Sequence, residues 1–284
     1  MSSTMRHLGR LLCLGVAACT GTPAPPALRL GTTYTVQQSG ALTLLDSLWR
    51  GPRVATVIGP SGQVLQAAAR GDLDIVLTHA PTLEERLLVR PGHAALRCPL
   101  AASRFAIVGP AADSAGVAAA AGAVEAFARI AQHGGGAGFV SRGDSSGTHI
   151  RELALWAAAG VRPARQRWYT ESGTDQAATL RLADERNAYA LADLPTLSRL
   201  AGFRLRVLLT ADTLLRNPYT LYVVRSQNAP ILARAEHFAE WAMGPWRAAL
   251  LAQRLPDSSP AFERQTAGDS CTALPPPPLP PPPS

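Results

Sequence analysis

Short apolar segments rich in β-branched residues alternate along this chain with longer segments of helical periodicity, and this alternation limits the fold most. Residues 53–58 and 74–78, for example, have the pattern of strands and flank a helical pattern at 62–70. Strands separated by helices favour parallel pairing and an α/β architecture. The predicted strands are 28–33, 53–58, 74–78, 105–108, 139–141, 189–192, 205–209 and 221–224, and the predicted helices are 40–49, 62–70, 122–132, 148–159, 231–243 and 246–254.

The two ends of the chain have compositions that do not suit a packed core. Arg6 and Arg10 precede an apolar run over 11–18, which is shorter than the roughly 20 residues of a membrane span and is typical of an export signal. The run ends at Val16-Ala17-Ala18-Cys19, which is similar to the site where bacterial lipoproteins are cut before a lipid-bearing Cys. An ordinary secretory signal with a chance cysteine is the alternative. We predict a signal peptide at 1–18, a tether at 19–26 and a Pro-rich disordered tail at 273–284.

Export has consequences for location, size and cysteine chemistry. A lipid on Cys19 would hold a soluble domain at the outer face of the cytoplasmic membrane, and without it the protein would be periplasmic. About 245 of the 284 residues remain for folding, which favours two sheets over one. An exported compartment permits a disulfide between the remaining Cys98 and Cys271, and the sequence leaves pairing and free thiols equally open.

The net charge of +7 and the pI of about 9.9 raise the question of a nucleic-acid partner. All 27 basic residues are Arg, however, and they are spread along the whole chain. Removal of the signal peptide takes away Arg6 and Arg10 and no acidic residue, which leaves a charge of +5. A coding bias explains this pattern better than a phosphate-binding stripe, and we predict no nucleic-acid partner.

The loop over residues 141–149 has the composition of an anion site. It lies between a predicted strand and a predicted helix, and Gly143 and Gly147 allow a tight turn that presents backbone N–H groups at the helix start. Such a helix start favours an anion, and Arg142 adds a planar, permanently charged donor. The candidate ligands in this loop are Arg142, Ser146, Gly147 and Thr148.

Two further loops carry hydroxyl groups where a predicted strand passes into a helix. Residues 32–35 follow the first strand and residues 60–63 follow the second. Ligands of open α/β sheets bind at the carboxyl ends of strands, so the three loops together indicate one site, although ordinary helix capping would explain any one of them. The candidate ligands here are Thr32, Thr33, Thr35 and Ser61.

A serine hydrolase is the alternative from a different class. Gly143-Asp144-Ser145-Ser146-Gly147 fits the G-x-S-x-G nucleophile pattern, His133-Gly134-Gly135-Gly136 resembles an oxyanion motif, and His237 could complete a triad. Only six residues separate Gly136 from Gly143, whereas that oxyanion loop belongs to a much earlier strand. We therefore predict a binding protein and not an enzyme.

The histidines do not indicate a metal site. His79, His93, His133, His149 and His237 form no i,i+4 pair and lie near no carboxylate cluster in the sequence. We predict no cofactor and no metal cation held by the protein.

Six segments carry recognisable motifs: 71–81, 105–110, 141–149, 152–156, 168–171 and 217–219. Together they resemble the tungstate-binding components of bacterial ABC transporters, which belong to the periplasmic binding protein class. The similarity runs from about residue 29 to 225. It implies a type II-like fold of two α/β lobes, each a mixed and mostly parallel sheet flanked by helices, with the ligand in the cleft between them.

The resemblance implies a function and a division of the chain. A tetrahedral oxyanion, tungstate or molybdate, would bind between the lobes and pass to a membrane permease, and the protein would act as a monomer. Lobe I would comprise 27–103 and 221–272, and lobe II would comprise 104–220, with 105–108 and 221–224 as crossing strands. The family's anion-binding elements fall on 32–35, 60–63 and 141–149, with Arg142 as the main charge partner and Thr148 and Ser61 as hydroxyl donors.

Several positions, among them the run 174–177, depart from the family pattern and leave the anion open. Tyr34 is bulkier than the usual Thr, Ser145 stands where Asp is usual, and Asp175 and Leu194 also differ from the family. Phosphate, which retains a proton at neutral pH, needs one acceptor, and Asp144 or Asp175 could provide it. A phosphate-binding transport protein is therefore the alternative within the same class.

Overall fold

The computed structural model describes residues 25–133, 136–266 and 268–277, and these residues form mixed sheets flanked by helices. The predicted signal peptide and Cys19 lie outside the described residues. The strands are β1 (Leu28–Thr32), β2 (Val54–Ile58), β3 (Ile75–Thr78), β4 (Ala94–Gly109), β5 (Phe139–Ser141), β6 (Tyr169–Glu171), β7 (Ala190–Asp193), β8 (Arg206–Leu209), β9 (Arg216–Val224) and β10 (Thr272–Ala273).

Most helices begin directly after a strand, as the alternating pattern predicts. A π-helical turn, Glu85–Val89, continues α4, and another, Ala242–Trp246, joins α9 to α10. The helices are α1 (Tyr34–Gln38), α2 (Ala41–Leu48), α3 (Ser61–Ala69), α4 (Pro81–Glu84), α5 (Ala123–Gln132), α6 (Gly147–Ala158), α7 (Gln176–Glu185), α8 (Leu194–Leu197), α9 (Ala229–Trp241) and α10 (Arg247–Ala252). No helix among the described residues is long and apolar enough to cross a membrane.

One long strand connects the two halves of the fold. The first part of β4 pairs antiparallel with β9, and its last residues, from Phe105 onward, pair antiparallel with β7 and β8. On one side, β9 also pairs with β3, and β1 lies parallel to both β2 and β3. On the other side, β5 and β6 pair in parallel, and an isolated bridge joins Phe139 to Tyr189.

The expectation of mostly parallel sheets is corrected by these pairings. Among the described strands, β1 with β2, β1 with β3 and β5 with β6 are the parallel pairs, and the others are antiparallel. The reason is that β4 and β9 cross between the halves and run against each neighbour. The strand predicted at 105–108 is only the end of β4, whose register shifts next to Pro99, as expected for a residue without a donor N–H.

Separate apolar clusters fill the two halves. In the half with β1, residues such as Leu30, Leu221 and Trp246 pack in one fully buried cluster. In the half with β5, Phe127 and Phe139 each pack edge-to-face on Trp156, with ring centroids 4.4 and 5.1 Å from that of Trp156. These clusters hold the carboxyl ends of β1 and β5 rigidly, which is where two of the predicted anion loops begin.

The C-terminal segment is attached to the fold. A disulfide joins Cys98 of β4 to Cys271, with the two Cα atoms 4.1 Å apart, and β10 then pairs with β4. The backbone N–H of Leu274 donates to the carbonyl of Ala95 over 2.9 Å. Residues 273 and 274, which were predicted to belong to a disordered tail, are therefore part of the fold, and residues 278–284 lie outside the described residues.

Candidate anion-binding site

The three predicted loops meet between the two halves of the fold. Arg142, which follows β5, donates through Nη1 to the Oγ1 of Thr35 in α1 over 3.0 Å. The backbone N–H of Gly147, the first residue of α6, donates to the Oγ of Ser61 at the start of α3 over 3.1 Å. Both contacts join a segment beside β5 to a segment beside β1 or β2, so the sequence prediction that these loops share one place agrees with the geometry.

Arg142 is a buried cation with hydrogen-bonding capacity to spare. Its side chain is 1% exposed, it forms an ion pair with Asp144, and its Nε has no hydrogen-bond partner among the described residues. Burial lowers the pKa of Arg142, and the negative charges of Asp144, Asp175 and Asp193 oppose this shift. Since the ordinary pKa of Arg is above 12, the guanidinium stays charged. The Nε–H group of Arg142 is therefore available to donate to a buried acceptor.

The start of α6 adds donors beside this cation. The Oγ of Ser146 accepts the backbone N–H of His149 over 3.2 Å and caps the helix. The hydroxyl of Thr148 is buried and has no partner among the described residues. Because the N-terminus of a helix of twelve residues carries a partial positive charge, the free hydroxyl and the backbone dipoles favour the same kind of ligand as Arg142.

Gly147 is a point where the backbones of the two halves approach closely. A Cβ at this position would lie 2.6 Å from both the carbonyl oxygen and the Nδ1 of His79, which follows β3. The turn before it needs glycine for a different reason, because Gly143 has a φ of +61° and a Cβ there would lie 2.7 Å from the Cβ of Glu171. Glycine is therefore needed at position 147 for a close backbone approach and at position 143 for a left-handed turn.

Some predicted ligands have structural hydrogen bonds. The hydroxyl of Thr32 donates to the carbonyl of Leu77 in β3 over 2.9 Å, so its proton already has an acceptor. The Oγ1 of Thr33 accepts the backbone N–H of Val36 over 3.3 Å and caps α1, which leaves its proton able to donate. The contacts therefore bring Thr35, Ser61, Arg142 and the start of α6 with Thr148 to one place, whereas Thr32 belongs to the sheet framework and Thr33 caps α1.

His79 is a neighbour of the site that the sequence reasoning did not select. Its Nδ1 lies 3.0 Å from the Oδ1 of Asn217, whose Nδ2 donates to Ser103 and Asp193. The amide oxygen therefore faces the ring and accepts its Nδ1 proton. Burial and the charge of Arg142 lower the pKa of His79 to about 4, so the ring is neutral at neutral pH. The sequence feature that could have identified His79 is its position in the segment 71–81, which matches the family.

The positions that depart from the family pattern are accommodated. Asp175 caps α7 by accepting the backbone N–H of Ala178 over 2.9 Å. Burial alone would raise the pKa of Asp175, but hydrogen bonds and the charge of Arg142 outweigh it and lower the pKa, so this carboxylate is ionised. Tyr34 is the half-buried first residue of α1, and Leu194 packs against the apolar cluster of the second half.

The contacts required by the hydrolase alternative are not among those of the described residues. Ser145 has a φ of +58°, and its hydrogen bond to His149 runs from the backbone N–H to Nδ1 over 3.1 Å, not from the hydroxyl. His237 packs in the C-terminal helix α9, with its ring centroid 6.3 Å from that of Trp49. Residues 134 and 135 of the predicted oxyanion motif lie outside the described residues. No cluster of metal-ligating side chains occurs within the described ranges.

Comparison with known proteins fits this geometry. Residues 20–245 match the family described as a PBP superfamily domain, which covers most of the chain. The chain therefore belongs to the PBP superfamily of two-lobed binding proteins, and the predicted α/β fold class is confirmed.

Individual relatives define the family more narrowly. The tungstate-binding protein TupA of Peptoclostridium acidaminophilum is 34% identical over 230 residues, which cover 78% of this chain and 79% of the relative. The crystal structure of the tungstate ABC transporter from Geobacter sulfurreducens has a TM-score of 0.68 at 35% identity, covering 78% of this chain and 96% of that chain. The tungstate-binding protein TupA from Desulfovibrio alaskensis G20 has a TM-score of 0.66 at 27% identity, covering 85% and 99%. Within the superfamily, this chain is a TupA-like substrate-binding protein, as the resemblance predicted.

Proposed function

We propose that the protein is an extracytoplasmic substrate-binding protein that captures a tetrahedral oxyanion, tungstate or molybdate, and delivers it to the permease of an ABC transporter. The observation that carries this proposal is the buried guanidinium of Arg142 in the loop before α6, together with the buried hydroxyl of Thr148 in the first turn of that helix; the Nε of Arg142 and this hydroxyl have no hydrogen-bond partner among the described residues. The relatives named as tungstate-binding proteins support the same ligand class.

The local charges favour a fully deprotonated anion. Tungstate and molybdate offer acceptors only, so their site needs donors only. Asp144 accepts from Arg142 and from the backbone N–H of Ser146, and Asp175 accepts from the backbone N–H of Ala178. The two carboxylates that could accept the proton of hydrogen phosphate are thus already engaged in the fold.

The proposal includes the division of the chain and its location. Residues 27–103 and 221–272 form lobe I and residues 104–220 form lobe II, with β4 and β9 crossing between them. The structure has the contacts of a closed form, since Arg199 of lobe II also donates to the carbonyl of Ser39 over 2.9 Å. We place the protein outside the cytoplasm as a monomer, anchored by a lipid on Cys19.

Isothermal titration calorimetry against tungstate, molybdate, sulfate and phosphate tests the function. We expect tight binding of the first two only, and weakening by at least about tenfold in Arg142→Ala, because a charge-assisted hydrogen bond contributes about 1.5–3 kcal/mol. Arg206→Ala, which removes an exposed charge on β8, should bind like the wild type. Unchanged affinity in Arg142→Ala would refute the site, and preferential binding of phosphate would move the assignment to the phosphate alternative.

A further inference from the structure

Glu152 is a buried carboxylate directly beneath the anion loop. It lies in the second turn of α6 and is 1% exposed. Its Oε1 accepts hydrogen bonds from the hydroxyl of Tyr169 over 2.7 Å and from the Nε1 of Trp156 over 3.1 Å. Its Oε2 accepts the hydroxyl of Ser141 over 2.7 Å. Trp156 and Tyr169 belong to the aromatic cluster of lobe II, so the carboxylate is held on a rigid base.

Ser141 connects Glu152 to the anion loop. It is the last residue of β5 and directly precedes Arg142. Its Oγ also accepts the backbone N–H of Gly143 over 3.2 Å, so one hydroxyl is bonded to Glu152 below and to the left-handed turn above. The carbonyl of Arg142 is fixed separately, by the backbone N–H of Gly173 over 2.9 Å. The direction of the Arg142 side chain therefore depends on a backbone that Glu152 helps to hold on both sides.

We infer that Glu152 is a positioning residue for the proposed oxyanion site, acting through Ser141 on the backbone that carries Arg142. The inference rests on the proposed function. It assigns no contact between Glu152 and the anion, because the carboxylate is bonded to Ser141, Trp156 and Tyr169.

Protonation of Glu152 would change this arrangement. All three of its partners donate to the carboxylate, and a proton on Oε2, which has one donor, would reverse the hydrogen bond with Ser141. The protonated Oε2 would then donate to the Oγ of Ser141, and the hydroxyl proton of Ser141 would have to point elsewhere. Burial raises the pKa of Glu152 to about 7, against the hydrogen bonds from Tyr169, Ser141 and Trp156, and Glu171 adds to the rise.

The pKa shifts of three neighbouring groups lead away from neutral pH. The pKa of Tyr169 is raised, mainly by burial, and that of His149 is lowered, also mainly by burial. The pKa of His79 is about 4. Among these four groups, Glu152 is therefore the one whose pKa lies near neutral pH.

Glu152→Gln is the isosteric neutral substitution, because an amide NH₂ facing Ser141 reproduces the protonated carboxyl. We expect molybdate to bind about tenfold more weakly to Glu152→Gln and to Ser141→Ala, the effect of one lost charge-assisted hydrogen bond. The double variant should be no weaker than either single variant, since both substitutions act on the same hydrogen bond between residues 141 and 152. Wild-type affinity should fall as the pH is lowered from about 8 to about 6, while Glu152→Gln should give a flat profile.

Glu84→Gln provides the matched control. Glu84 is equally buried, and its carboxylate accepts hydrogen bonds from Thr78, Ala80 and Tyr222, all in lobe I. This variant should lose stability, measured by thermal unfolding, but keep the pH dependence of molybdate affinity. Hydrogen exchange at Gly143 in the anion-free protein gives a readout without ligand, and it should be about tenfold faster in Glu152→Gln.

The outcomes separate the two proposals. Absence of oxyanion binding by the wild type would overturn the proposed function and this inference with it. Wild-type binding with unchanged affinity in folded Glu152→Gln, or with additive losses in the double variant, would overturn the inference alone. A gain in affinity on acidification would also overturn it, because the carboxylate would then act by repelling the anion.

Discussion

Replacing Gly147 by Ala tests whether closure of the two lobes requires a residue without a side chain at the start of α6. The Cβ would lie 2.6 Å from the carbonyl oxygen and from the Nδ1 of His79, whereas ordinary van der Waals contact begins at 3.4 Å. Within lobe II alone the substitution should be favourable, because Gly147 lies in a helix where Ala is preferred by about 0.5–1 kcal/mol. The penalty therefore falls on the closed form only.

The size of the effect follows from the contact. The neighbouring segment would have to retreat by about 0.8 Å, and overpacking of this kind typically costs about 1–3 kcal/mol. That corresponds to a loss of roughly five- to 150-fold in oxyanion affinity. The hydrogen bond from the Gly147 N–H to Ser61 would lengthen in the same movement, while the midpoint of thermal unfolding without ligand should not fall.

Calorimetry with molybdate measures the effect, and Gly62→Ala is the matched control. Gly62 lies at the start of the facing helix α3, and a Cβ there would be 3.9 Å from its nearest neighbour, the carbonyl oxygen of Ser145. This control should bind within about twofold of the wild type. Wild-type affinity in Gly147→Ala would refute the reasoning, because the contact with His79 would then not belong to the ligand-bound form.

Two further predictions concern stability. Replacing Cys98 and Cys271, which are 173 positions apart, by Ala should lower the free energy of unfolding by about 2–5 kcal/mol in urea titrations; equal stability with and without the disulfide would contradict the pairing. Because the pKa of His79 is lowered to about 4 in the folded state, the unfolded chain takes up its proton first, and stability should fall as the pH drops from about 6.5 to 4. This part of the loss, at most about 3 kcal/mol, should be missing in His79→Gln, and an identical acid profile in that variant would exclude the residue as its source.

The elements that the sequence predicted well are those with a local signal. β1, β2, β3 and β5 lie within one residue of the predicted ranges, because each is an apolar run with a turn residue or a helix after it. Most of β4 was missed, since it is buried on both faces and contains Pro99, which hides any alternation. Helix α7 was missed because Gln176 and Thr179 occupy its buried face beside Leu180 and Ala183.

The candidate site divides in the same way. The hydroxyl-rich loops and Arg142 could be selected from the sequence because turn, cap and charge lie within a few residues of one another. His79 and Asn217, by contrast, are 138 positions apart, and their pairing exists only once β3 and β9 lie side by side. The sequence predicted the helix that contains Glu152 but not the role of this residue. That role depends on hydrogen bonds from Ser141 in β5 and Tyr169 in β6, which the fold brings together.

Charge alone does not explain how such a site would select its anion. Arg142 forms an ion pair with Asp144, and the charge of Arg142 also contributes to lowering the pKa of Asp175. The cleft is therefore not an unbalanced positive pocket that would attract every anion. Affinity must come from the direction of the remaining donors, the free Nε of Arg142 and the hydroxyl of Thr148, which a closed and dry cleft strengthens. A small anion with acceptors on all sides satisfies those donors, whereas an anion that carries a proton needs an acceptor as well.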